Sequence, residues 1–179
     1  MVSIQPFKFE DLWEVNRINI DDWTETFSTS FYLYYMNKAP SMNWMISNNS
    51  EEKVGYIIGS IKRHDDICRA HVIAVTVAED ARRLGLATTL MNIVETTCEN
   101  QYKGLCVGLY VRPTNYNAHE LYKKMGYILY RRITKYYETI GEDGWDMRKS
   151  LKWDKDKVFM KPIEHPVTSE EAESDDDDD

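Results

Sequence analysis

Hydrophobic and polar positions alternate between two periods along this chain. Leu12, Val15 and Ile18 recur with helical spacing behind Glu10 and Asp11, which predicts an amphipathic helix with acids in its first turn. Asp21 to Ser30 is polar and turn-rich, with Trp23 and Phe27 embedded. Phe31-Tyr32-Leu33-Tyr34-Tyr35-Met36 predicts a second short helix, ended by Ala39-Pro40. Three strands are then expected, Asn43 to Ser47, Lys53 to Lys62 and Arg69 to Val77, separated by turn-forming runs at Asn48 to Glu52 and His64-Asp65-Asp66. A glycine-bearing loop leads into a helix from Thr88 to about Asn100, and a strand follows from Leu105 to Val111. Asn115 is the expected cap of a further helix, Tyr116 to Met125, which closes at Gly126. Tyr127 to Glu138 and Trp145 to Leu151 read as a hairpin-like pair around Gly141-Glu142-Asp143-Gly144. The order αα-βββ-α-β-α-ββ predicts an α/β arrangement around one sheet.

Composition changes this picture mainly at the C-terminus. With 179 residues the chain is long enough for one sizeable core. We expect a domain over residues 1–154, an extended arm over 155–168 carrying Pro162 and Pro166, and a disordered acidic tail over 169–179. The net charge of -8 belongs to that tail: eight of the 30 acidic residues lie beyond Ser169, and the remaining 22 balance 22 Lys plus Arg. A neutral body lacks the basic surplus of a nucleic-acid binder. No run reaches the ~18 apolar residues that span a bilayer, and the N-terminus lacks the apolar segment of a signal peptide. The three cysteines form an odd set without C-x-x-C spacing, which fits reduced thiols. A cytoplasmic protein without membrane, metal or direct nucleic-acid contact is expected.

Candidate chemistry centres on Val75-Thr76-Val77-Ala78-Glu79-Asp80-Ala81-Arg82-Arg83-Leu84-Gly85-Leu86-Ala87. A β-branched strand, a polar turn and a helix start aim backbone N–H groups at one point, an arrangement that holds phosphates. Gly85 permits a positive φ and close ligand approach, and Arg82 and Arg83 can add charge-assisted hydrogen bonds. Too few glycines and no Gly-Lys-Ser/Thr exclude a dinucleotide fingerprint and a Walker A loop. The pattern resembles the acyl-CoA loop of the GNAT acetyltransferases, Arg/Gln-x-x-Gly-x-Gly/Ala, with Arg82, Gly85 and Ala87 at the fixed positions. Asn115 to Tyr127 matches the later helix of the same family, Asn-x-x-Ala-x-x-Leu-Tyr-x-x-x-Gly-Phe/Tyr. The resemblance implies the GNAT fold, a mixed and mostly antiparallel sheet flanked by helices in a single domain. It also implies acetyl-CoA as co-substrate, held by Val75, Val77, Arg82, Arg83, Leu84, Gly85, Leu86, Ala87, Asn115 and Tyr122.

Thr24-Glu25-Thr26-Phe27, Phe31-Tyr32-Leu33, Tyr136-Tyr137, Trp145-Asp146-Met147-Arg148-Lys149 and His165-Pro166-Val167 narrow the resemblance to catalytic subunits of the N-terminal acetyltransferase B (NatB) complex. That group implies acetylation of an initiator Met followed by Asp, Glu, Asn or Gln. An N-terminal amine, with pKa near ~7.7–8.0 against ~10.4 for lysine, arrives partly deprotonated and needs only a modest base. His71 is the candidate for a water-relayed base or for recognition of the second residue, and Tyr122 for proton donation to the departing thiolate. Glu25, Phe27, His71, Tyr136 and Tyr137 are the substrate-binding candidates, with Phe27 standing where a Tyr is expected in relatives. The group further implies a large helical-repeat auxiliary subunit in a heterodimer, ribosome association through it, and nascent N-termini as substrates. A lysine or small-amine acetyltransferase, or a non-catalytic acyl-CoA-binding module, are the alternatives.

Overall fold

The computed structural model describes residues 2–21, 23–64 and 67–174. Its strands are β1 (Ser3–Pro6), β2 (Trp44–Ser47), β3 (Lys53–His64), β4 (Ile67–Val77), β5 (Cys106–Val111), β6 (Ile128–Tyr137) and β7 (Glu142–Ser150). Its α-helices are α1 (Leu12–Ile18), α2 (Thr29–Lys38), α3 (Leu86–Gln101), α4 (Tyr116–Lys124) and α5 (Ser169–Ser174). The strands are hydrogen-bonded in the order β1-β2-β3-β4-β5-β7-β6. Neighbours β4 and β5 are joined through α3, the kind of crossover that a parallel pair requires. The α/β architecture expected from the hydrophobic pattern is the one observed.

The chain divides into two compact units. The first comprises the chain up to Ser60 together with Val72–Thr97. Here α1 buries Val15 and Ile18 against Phe7, Tyr32, Met45, Tyr56 and Ile58. Ser28 caps α2 by accepting the Phe31 N–H, satisfying one of the donors that a helix start leaves open. Strand β1 was not foreseen: four residues ending in Pro6 give a weak pattern. It pairs antiparallel with β2 from Ser3↔Ser47 to Pro6↔Trp44, and proline is tolerated there at its end.

The second unit comprises Ile61–His71 and the chain from Cys98 onward. In it β7 pairs antiparallel with both β5 and β6. The β6–β7 connection corrects the sequence expectation. Its turn spans residues 138–141, so Glu142, Asp143 and Gly144 belong to β7 and not to the loop. Ser169–Ser174, expected to open an unstructured tail, form α5 instead. A Thr168–Glu171 capping box starts it, with N–H to side-chain bonds of 2.7 and 3.2 Å, and Ala172 is buried against Ile133 and Val167. The remainder of the expected acidic tail, residues 175–179, lies outside the described residues, as do residues 65 and 66 of the turn before β4.

Candidate active site

In the first unit β4 delivers the chain into a short 3₁₀ turn, Glu79–Ala81, and then into the loop before α3. Arg83 and Gly85 have φ of 63° and 76°, so the backbone turns left-handed twice within three residues before the helix begins. Such turns converge N–H groups on an anion, and the first turn of a 16-residue helix adds its own open donors. The Gly85 carbonyl is bonded by Thr89 N (3.0 Å) and Oγ1 (3.1 Å). A Cβ built on Gly85 would meet nothing within 4 Å, which leaves room for a ligand at the backbone. Leu84 is exposed and Leu86 buried.

Arg82 is committed differently from the expectation of a side chain offered to phosphate. Its Nε donates to the Val77 carbonyl (3.0 Å) and its Nη2 pairs with Asp21. Asp21 also accepts the N–H groups of Trp23 (2.8 Å) and Thr24 (2.7 Å). Burial pushes its carboxyl up, but these hydrogen bonds and the Arg82 charge outweigh burial and hold it below the usual carboxylate range. Thr24 Oγ1 lies 3.4 Å from Thr76 Oγ1 on β4. The segment carrying Glu25 and Phe27 is therefore tied at two points to β4 and the glycine loop. Glu25 is exposed, whereas Phe27 stacks on Phe31 (4.0 Å between centroids) and meets Tyr32 edge-on at 5.9 Å. Along β4, Val75 is half-buried like His71, while Thr76 and Val77 are both buried as the alternation lapses at the strand end.

In the second unit Asn115 caps α4 by accepting the Ala118 N–H at 3.2 Å. Tyr122, two turns along the same helix, is buried, with Tyr127 5.9 Å away between ring centroids. Desolvation pushes its phenol up to about 12, so it stays protonated at neutral pH. His119 is spoken for: Nε2 lies 2.8 Å from the Arg112 carbonyl, the ring stacks on Trp145 at 4.4 Å, and burial lowers its pKa.

His71, Tyr136 and Tyr137 come together through a residue that the sequence reading passed over. Tyr110 on β5 meets His71 edge-on at 4.5 Å and Tyr136 at 4.9 Å, and Tyr136 meets Tyr137 at 5.0 Å. A Cβ on Gly108, two residues earlier, would lie 3.7 Å from His71 Nδ1, an ordinary contact, so that glycine did not advertise the cluster. A shallow recess, open to solvent, is lined by His71 and Tyr110 with Lys62, Arg69, Arg148 and Asp146 among its walls. Asp146 sits between Arg131 (2.9 Å) and Arg148 (2.8 Å), all three buried. The three cysteines are buried too, and burial raises each thiol, Cys98 and Cys106 to about 12, which removes them as nucleophiles. Among the described residues no group of three or more His, Cys, Asp or Glu could hold a metal ion, and no helix is long and apolar enough to cross a membrane.

The chain is similar to known proteins over most of its length. Residues 12–127 match the acetyltransferase (GNAT) family. The N-terminal acetyltransferase B complex catalytic subunit NAA20 of Arabidopsis thaliana is 38% identical over 175 residues, covering 98% of this chain and 100% of the relative. The crystal structure of Chaetomium thermophilum Naa20 in complex with a bisubstrate analogue superposes with a TM-score of 0.86 at 33% identity, covering 93% of this chain and 96% of the other. The NatB acetyltransferase complex bound to CoA and MES gives a TM-score of 0.76 at 34% identity, over 83% of this chain and 99% of the other.

Proposed function

We propose that this chain, which belongs to the acetyltransferase (GNAT) family and within it to the catalytic subunits of N-terminal acetyltransferase B, acetylates the α-amino groups of protein N-termini. Acetyl-CoA supplies the acyl carbon, which the amine attacks directly. The observation that carries the reading is the Arg82–Ala87 loop. Two left-handed residues, a long helix start and an empty face at Gly85 suit a pyrophosphate gripped by backbone. Arg82 acts there as a strut for the loop, through Val77 and Asp21, more than as a phosphate ligand.

The remaining roles follow from chemistry. Backbone N–H groups at Val75 to Val77 polarise the thioester oxygen. The α-amine needs little help to deprotonate near neutral pH, so one histidine, His71, acting through water is sufficient base. The recess beside His71 has three cationic side chains and one carboxylate in its walls, and that carboxylate is already bonded to two arginines. Such a setting favours an acidic or amide side chain at the second position of the substrate. Phe27, in its aromatic cluster, forms the apolar wall for Met, and Glu25 shapes the entrance. Tyr136 and Tyr137 bond the peptide backbone.

The enzyme works with an auxiliary subunit, which we take to be a large helical-repeat protein that brings it to the ribosome in the cytoplasm. Trp13 and Ile20 leave 79% and 73% of their surface exposed on the first unit, with Phe9, Trp23, Leu33 and Tyr34 also open. These exposed apolar groups support the reading that the auxiliary subunit docks on this unit.

The test is mass spectrometry of products from acetyl-CoA and a peptide library, with and without the auxiliary subunit. Met-Asp, Met-Glu, Met-Asn and Met-Gln peptides should be acetylated on the α-amine, faster with the subunit present. Acetylation of lysine side chains or polyamines in preference, or no turnover, would overturn the reading. Within that assay Gly85→Ala is expected to raise the KM for acetyl-CoA about tenfold or more, because a Cβ at a φ of 76° both strains the loop and occupies the ligand's space. An unchanged KM in a folded variant would remove the loop from the binding site.

A further inference from the structure

Strands β6 and β7 do not pair evenly. Ile133 stands opposite Gly144 and Tyr137 opposite Glu142, so Thr134, Lys135 and Tyr136 share a single partner position, Asp143. Lys135 takes up the surplus with a φ of 51°, a conformation that a lysine rarely adopts. Four hydrogen bonds hold this bulge. Asp143 Oδ1 accepts the Lys135 N–H at 2.9 Å, and its other oxygen accepts from Arg132 Nη2 at 3.3 Å. On the far side, Thr134 donates its N–H (2.8 Å) and its hydroxyl (3.2 Å) to the Val167 carbonyl.

The bulge has a consequence for Tyr136. Its side chain lies flat against Gly144: a Cβ on that glycine would stand 2.9 Å from Tyr136 Cβ and 3.0 Å from Cγ, closer than real side chains approach. Laid there, the ring meets Tyr110 at 4.9 Å, and Tyr110 in turn meets His71 at 4.5 Å. Bulges beside functional sites commonly re-aim a side chain in this way.

We infer that Asp143 and Gly144 are positioning residues for the peptide site. Asp143 fixes the bulge, Gly144 leaves the space, and together they set Tyr136 against Tyr110 and so the surroundings of His71. This rests on the reading of Tyr136 and His71 as peptide-contacting groups. Asp143 and Arg132 keep 33% and 59% of their side-chain surface exposed, so replacing Asp143 strands no buried charge.

The test compares steady-state kinetics on a Met-Asp-starting peptide, using the chain together with its auxiliary subunit. Asp143→Ala and Gly144→Ala should each lower peptide kcat/KM by about 10- to 100-fold, the scale set by a side chain displaced by roughly an ångström. The KM for acetyl-CoA should stay within about twofold. Asp143→Asn keeps an oxygen for the Lys135 N–H and should restore peptide kcat/KM to within about threefold of the original. Three outcomes overturn the inference: folded alanine variants with unaltered peptide kcat/KM, losses in the peptide and acetyl-CoA parameters alike, or an Asn variant no better than Ala. If the unaltered enzyme acetylates no peptide N-terminus at all, the functional reading fails first; if it is active and the variants match it, only the positioning role fails.

Discussion

Tyr122→Phe is expected to lower kcat about 100-fold near neutral pH, within the range for loss of a positioned proton donor, while the fold stays intact. The hydroxyl makes no hydrogen bond with any described residue, and desolvation is the sole cause raising its pKa to about 12. A phenol so placed is protonated at neutral pH, and in the proposed reaction its proton goes to the departing CoA thiolate. Removing it orphans no partner, which is what usually makes buried hydroxyl deletions costly. The KM values and the melting temperature should therefore move little. Because the folded pKa lies above the unfolded value near ~10, the unaltered chain should lose stability as pH rises from about 10 toward 12. The Phe variant should lose less over that window. A variant that keeps kcat within about threefold would show that solvent, and not Tyr122, protonates the thiolate.

What the sequence displayed well is whatever local chemistry controls. Asn115 and Gly126 bracket α4 because a cap and a left-handed stop are short-range requirements, and both stand where expected. The glycine loop was legible for the same reason: its turns need Gly85 and a helix start, whatever surrounds them. Long-range pairing was harder. Strand β1 exists because β2 offers it an edge, which four residues ending in proline do not advertise. Gly144 has turn composition but serves as a packing gap for Tyr136 within β7, and nothing in its neighbours says so. Ala172 holds α5 down by burial against Ile133 and Val167, a tertiary contact that outweighs the acidic composition around it. In the candidate site, Tyr110 was missed because an aromatic residue in a strand is favoured anyway. Its meaning comes from lying between His71 and Tyr136. Arg82 shows the converse: its place in the motif was evident, but its engagement with Asp21, 61 positions earlier, was not.

The largest loss of stability is expected at Asp146→Ala, about 3–5 kcal/mol, the usual cost of removing one partner from a buried ion cluster. Asp146 is 1% exposed and stands opposite Arg131 in the β6–β7 register. It accepts Arg131 Nε at 2.9 Å and binds Arg148 through Nε (3.1 Å) and Nη2 (2.8 Å). Arg148 also lies over the Tyr130 ring at 3.8 Å, and Arg131 is 2% exposed, so neither guanidinium can retreat to water without unpacking the strands. Burial pulls the Arg148 pKa down, yet Asp146 outweighs it and holds the guanidinium above its usual value. Without the carboxylate only the burial cost remains, now carried by two like charges. Against a total stability of ~5–15 kcal/mol, most of the fold's margin would go, and urea titration of the variant should show it. Adding Arg131→Met should recover part of the loss, because one stranded cation leaves with the carboxylate. A loss below about 1 kcal/mol would mean that water already screens these charges as it does surface pairs. The proposed preference of the recess beside His71 for an acidic or amide side chain could not then rest on them.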